Sequence, residues 1–132
     1  MDKDELRSIK FVREIYGFEN IKDYVLANAS EKESNPFKVL KASDGSVSFI
    51  LLEPNIVDEA YNPVLDQESE LILKMKNKED IQIYGIVVIP NNIKEMTINL
   101  RSPIIINREN GNAIQLILQD ERYSVRHRIF DC

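Results

Sequence analysis

Short strand-like segments of four to nine residues, separated by frequent turn residues such as Gly, Pro, Asp and Asn, are what most limit the folds open to this chain. Phe37 to Ala42 alternates apolar and polar side chains, as a half-buried strand does. Ser43-Asp44-Gly45-Ser46 carries an Asp-Gly pair of the kind that joins hairpins, and Val47 to Leu52 returns as the second strand before Pro54. Ile81 to Ile89 is the strongest strand signal. Its β-branched content and continuous apolar end predict a central strand buried on both faces. Met96 to Leu100 and Ile104 to Asn107 flank Pro103, which lacks a backbone donor and so predicts a bend or bulge. Asn110-Gly111 marks another hairpin turn, completed by Ala113 to Leu118, and Tyr61 to Leu65 reads as a short edge strand around Pro63.

Near the N-terminus two patterns compete. Asp4 can cap a short helix through Leu6 and Ile9, but the alternation from Ile9 to Ile15 favours a strand. Gly17 to Asn20 is a turn, Ile21 to Ala29 a further apolar segment, and Ser30 to Pro36 a polar loop. Only Asp66 to Met75 reads as a helix. Asp66 stands at its cap, acids fill the first turn, and Lys74 and Lys76 sit near its end, matching the helix dipole. The fold class that follows is mainly β: one antiparallel, barrel-like domain over residues 1–132 with one short helix, a sandwich being the alternative.

The sequence has 132 residues, enough for one core without staples. A formal charge of −5 argues against a nucleic-acid binder, since phosphate contacts require a basic face. Cys132 has no partner for an internal disulfide and no neighbouring metal ligand. The charged start and the absence of a long apolar run predict a cytoplasmic protein without a membrane anchor.

Chemistry is thinly represented. His127 is the one histidine; Ser124 lies near it, but no nucleophile elbow is present. Gly17, Gly45, Gly85 and Gly111 are too far apart to build a phosphate cradle, and no metal-ligand spacing occurs. Carboxylate pairs such as Asp58-Glu59 and Asp120-Glu121 stand among polar residues and read as solvated, whereas acid–base work calls for a desolvated carboxyl. The expectation is therefore no catalytic residues, no metal and no cofactor. More telling is the stretch from Glu53 to Glu70, with six acids (Glu53, Asp58, Glu59, Asp66, Glu68, Glu70) and no base. It is either a solvated face or a docking surface for a basic partner. Arg122, Arg126, His127 and Arg128 form the opposite cluster near the C-terminus.

A set of motifs then gives the chain a family likeness. The last third runs Thr97-x-Asn99-Leu100-x-x-Pro103-x-x-x-Asn107, then Gln115-x-x-Leu118, then Tyr123-x-x-Arg126. Upstream stand Gly17-Phe18-Glu19, Tyr24, Pro36-Phe37 with Leu40, Phe49-Ile50 with Pro54 and Tyr61, and Val87 to Pro90. Together they closely resemble the flagellar assembly factor (FliW) family. The resemblance covers about Ile9 to Phe130; Val12 to Tyr16 and Ser102 depart from it. It implies a β-rich, barrel-like domain that works by binding. The implied partners are newly made flagellin and the translational regulator CsrA, exchanged by partner switching so that repression of flagellin translation is relieved. The shared motif makes Asn99, Pro103, Ile104, Asn107, Tyr123 and Arg126 candidate contacts, a buried strand corner being the alternative for Pro103 and Ile104 to Ile106, and a basic CsrA would suit the acidic stretch as a second docking face. A monomer without direct nucleic-acid contact is expected. The alternative is a small ligand-binding or hydrolytic barrel whose pocket is lined by Tyr123, Arg126 and His127.

Overall fold

The computed structural model describes residues 6–32 and 34–130. The Asp4 cap and the Cys132 thiol lie outside the described residues. Nine strands follow in order: β1 (Arg7–Arg13), β2 (Asp23–Asn28), β3 (Lys38–Ala42), β4 (Ser48–Leu52), β5 (Ile81–Val88), β6 (Thr97–Ile98), β7 (Ile104–Asn107), β8 (Asn112–Gln115) and β9 (His127–Arg128). One helix, α1 (Gln67–Ile72), precedes β5. Seven strands close into a barrel, β1-β2-β3-β4-β5-β7-β8 and back to β1. The short strands β6 and β9 extend the sheet from the C-terminal end of β5.

Six of the seven barrel pairings are antiparallel, whereas β1 and β8 run parallel. The expected antiparallel barrel is therefore present with one parallel seam, and the reason for the seam is parity. Neighbours that alternate in direction around a ring need an even number of strands. With seven, one seam must be parallel, and it falls where β1 meets β8.

Alternation of side chains fills the barrel. Ile9, Phe11, Tyr24, Leu26, Leu40, Leu51, Tyr84, Ile104 and Ile106 converge in one buried cluster. Phe11 packs edge-on against Tyr24 with centroids 5.1 Å apart. On the other face of β7, Ile105 joins Leu73, Ile114 and Leu116 beneath α1. Ile104, Ile105 and Ile106 are all fully enclosed, each contributing roughly 1.5–3 kcal/mol of burial.

Elsewhere local chemistry overrides the strand and helix patterns. Tyr61 to Leu65 is not a strand. Local partners take its first backbone groups: the Tyr61 amide donates to the Asp58 carbonyl, the Tyr61 carbonyl accepts from the Asn55 side chain, the Asn62 amide reaches the Tyr123 hydroxyl, and Pro63 offers no donor. The helix is shorter than Asp66 to Met75. Asp66 does cap it, accepting from the Ser69 amide at 2.8 Å. It stops at Leu73 because Lys74 takes a left-handed conformation, φ 56°. The Met75 amide then reaches the Glu70 carbonyl and the Lys74 amide the Leu71 carbonyl, a Schellman closure without glycine. In β5, Val88 and the following Ile89 are exposed, so the apolar end is not buried on both faces as its composition suggested. Val88 lies opposite Thr97 on the open side of the extension.

Candidate protein-binding surfaces

The motif around Pro103 forms a corner between β6 and β7. Asn99 anchors it: its Oδ1 accepts from the amides of Arg101 and Ser102 at 3.0 and 2.9 Å, and its own amide donates to Ile86. Gly85 lets this corner approach β5. A Cβ there would lie 2.5 Å from Ile98 Cγ1 and 3.0 Å from the Asn99 carbonyl oxygen. Pro103 interrupts the pairing that runs from β6 towards β7, as its missing donor predicts, yet its carbonyl still accepts from Leu116. The Gln115 side chain spans to the Ser102 carbonyl and accepts from the Tyr16 amide.

Asn107 closes the other end of the motif. It is fully buried, and its amide donates to the carbonyls of Leu73 and Lys74 at 2.9 and 3.3 Å. Its Oδ1 accepts from the Glu109 amide, shaping the turn into β8. Gly111 completes that turn at φ 81°, with the Ser8 carbonyl so close that a side chain would collide with it. Pro103, Ile104 and Asn107 are thus enclosed, and Asn99 is spent on the turn. These residues build the corner: in the free chain Pro103, Ile104 and Asn107 are buried rather than on its surface.

Tyr123 and Arg126 separate. Tyr123 packs edge-on against buried Tyr61 with centroids 4.7 Å apart, and the Tyr61 hydroxyl donates to the Leu100 carbonyl at 2.6 Å. Burial, then the neighbouring Tyr123 and Asp58, holds the Tyr61 phenol well above its ordinary pKa. Arg122 lies over the Tyr123 ring and is held by Asp120, whose carboxyl falls to about 2 through that hydrogen bond. Arg126 is exposed, and His127 is half-buried in β9 opposite Ile98. The three side chains of the expected pocket therefore serve a packing contact, the solvent and a strand.

The six acids are divided as well. Asp66 is bound to its capping duty, and Glu68 stands 3.9 Å from Arg13. Asp58 faces Tyr61 and Arg122, whose ionisations it perturbs. Glu53, Glu59 and Glu70 take part in no ion pair among the described residues. Glu70 borders a groove of about 400 Å³ lined by Pro63, Val64, Leu65, Met75, Lys78 and Ile83. Sequence reasoning missed this groove. Its signal was Val64, an apolar residue inside an acidic stretch and now 80% exposed. Among the described residues no three His, Cys, Asp or Glu side chains gather as a metal would require, and no helix is long and apolar enough to cross a membrane.

Comparison with known proteins places this geometry. The family model described as FliW protein matches residues 1–129. The flagellar assembly factor FliW of Caldanaerobacter subterraneus subsp. tengcongensis is 36% identical over 124 residues, covering 93% of this chain and 82% of that protein. The Clostridioides difficile protein of the same name is 34% identical over 122 residues, covering 92% and 93%. A crystal structure of the flagellar assembly factor FliW superposes with a TM-score of 0.85 at 28% identity, over 100% of this chain and 89% of that one. Sequence and barrel agree from end to end, and the chain belongs to the FliW family of flagellar assembly factors.

Proposed function

We propose that this protein regulates flagellum assembly by binding flagellin, and that it antagonises the translational regulator CsrA by exchanging one partner for the other. The observation that carries the reading is membership of a flagellar assembly factor family along almost the whole chain. Two linked binding equilibria suffice. Free protein holds CsrA and relieves repression of flagellin translation; accumulating flagellin captures the protein and frees CsrA. The net charge of −5 supports protein partners over direct contact with nucleic acid, and the reading places the protein in the cytoplasm as a monomer.

For a basic partner, the acidic stretch remains the docking face of choice, narrowed to Glu53, Glu59 and Glu70. Asp58, Asp66 and Glu68 already have cationic or capping neighbours, which weakens the field they offer to a newcomer. Around the corner, exposed Arg126 is the motif residue left to touch a partner.

Calorimetric titration with monomeric flagellin, repeated with CsrA already bound, tests the proposal. Tight binding that displaces CsrA is expected. Absence of heat with either partner, at two temperatures, refutes it. Reversal of Glu59 and Glu70 to lysine should slow CsrA association, and an unchanged rate would remove the acidic face from the scheme.

A further inference from the structure

We propose that the open edge of β9 is a docking strip for an extended, acidic segment of a protein partner, which joins the sheet as a further strand. The inference stands apart from the acidic stretch and shares no residue with it.

Among the described residues β9 ends the sheet, with β6 as its one neighbour. The Ile129 amide donates to the Met96 carbonyl, so Ile129 and His127 turn their backbone groups towards β6. By the alternation of an antiparallel ladder, the Arg128 N–H and C=O point the other way. Among the described residues, neither group makes a hydrogen bond outside the β6 ladder. A strand edge of this kind offers a template for another chain.

Charge decides which chain. The Arg128 guanidinium donates to the Lys94 carbonyl at 3.2 Å, which draws Lys94 alongside the strand. Lys94, Arg126 and Arg128 form no ion pair among the described residues, and the nearest acids in the sequence are Glu95, Glu121 and Asp131. A second copy pairing edge to edge would set the two pairs of arginines against each other, a repulsion that protects such edges from self-association. An acidic strand reverses the sign of that interaction. Apolar side chains complete the strip. Val88 and Arg128 both lie opposite Thr97, on the same face, and Val88, Ile93, Val125 and Phe130 are all exposed. Nucleic acid would meet the arginines but leave the apolar side chains and the backbone pair unused, against a net charge of −5.

The test is an amide NMR titration of the whole protein with two synthetic peptides, one alternating Val and Asp, the other Val and Lys. The acidic peptide should shift the amides of Val88, Thr97 and residues 125–130, and slow hydrogen exchange at Arg128. The basic peptide should do neither. Arg126→Glu combined with Arg128→Glu should weaken the acidic peptide about tenfold or more, with the exposed positions leaving the spectrum of the free protein dispersed. Equal shifts with both peptides, no shifts at β9, or the same shifts from an oligouridylate RNA would overturn the proposal. So would concentration-dependent broadening of β9 in the protein alone, which marks a second copy as the occupant.

Discussion

Replacing Asn107 with alanine should cost about 3 kcal/mol of stability while leaving partner binding by the folded protein unchanged. The side chain makes three hydrogen bonds, to the Leu73 and Lys74 carbonyls and from the Glu109 amide. Leu73 retains a second donor in Asn110, but Lys74 and Glu109 lose the partner they have. Each bond contributes about 1 kcal/mol net, and a polar group left unsatisfied adds to the loss. The effect is large because these bonds join the end of α1 to the β7–β8 turn, two elements otherwise held by the Asn110–Leu73 hydrogen bond and by apolar packing around Leu73 and Ile105. Urea unfolding followed by circular dichroism should show a midpoint lowered by about 1–2 M. Hydrogen exchange should quicken first at Glu109, the amide that Asn107 holds. A loss below about 0.5 kcal/mol would refute the reasoning, because the clamp would then be redundant. Weakened flagellin or CsrA binding in the folded variant would refute the structural assignment of this motif residue.

Three further outcomes follow from local geometry. Lys74→Gly should stabilise the protein by about 1 kcal/mol, since Lys74 occupies the left-handed region that glycine enters freely; a thermal midpoint that falls would contradict this. Gly85→Ala should destabilise it by about 1–3 kcal/mol, because the new methyl meets Ile98 and the Asn99 carbonyl, and denaturant melts compare the two proteins directly. Burial raises the Tyr84 phenol to about 12 and pushes up Tyr24 and Tyr61. The folded state thus keeps protons that the unfolded chain loses from its ordinary value near 10, so stability is complete below that pH and declines as pH rises towards 12. Phenolate absorbance from these residues should appear together with unfolding, and early ionisation in the folded protein would argue against their burial.

Sequence alone located most of the barrel because period-two alternation and turn residues act locally. Phe37 to Leu52 carried a hairpin with its Asp-Gly turn, and β3 and β4 fall within those limits. Asp66 announced its cap for the same reason: the bond it makes spans three residues. Features set by distant neighbours were harder to read. Nothing in Arg7–Arg13 or Asn112–Gln115 signals that they run parallel, since that follows from the count of strands in the ring. Short β9 hid in a charged tail, and its pairing with β6 depends on the corner at Asn99. The motif residues were legible as a family signature, but their burial was not, because enclosure of Asn107 requires α1 to arrive from another part of the chain.

The parallel seam also bears on synthesis. Its two strands lie about a hundred positions apart in the chain, so the ring stays open on the ribosome until β8 has emerged. Until then β1 has its first partner in β2 but a bare second edge, and β7 waits for β8 as well. Contacts so far apart in sequence form late and slowly. Closure of the β1–β8 seam is therefore a late step in maturation, and a nascent chain halted before Asn112 is the form most exposed to pairing with the wrong strand.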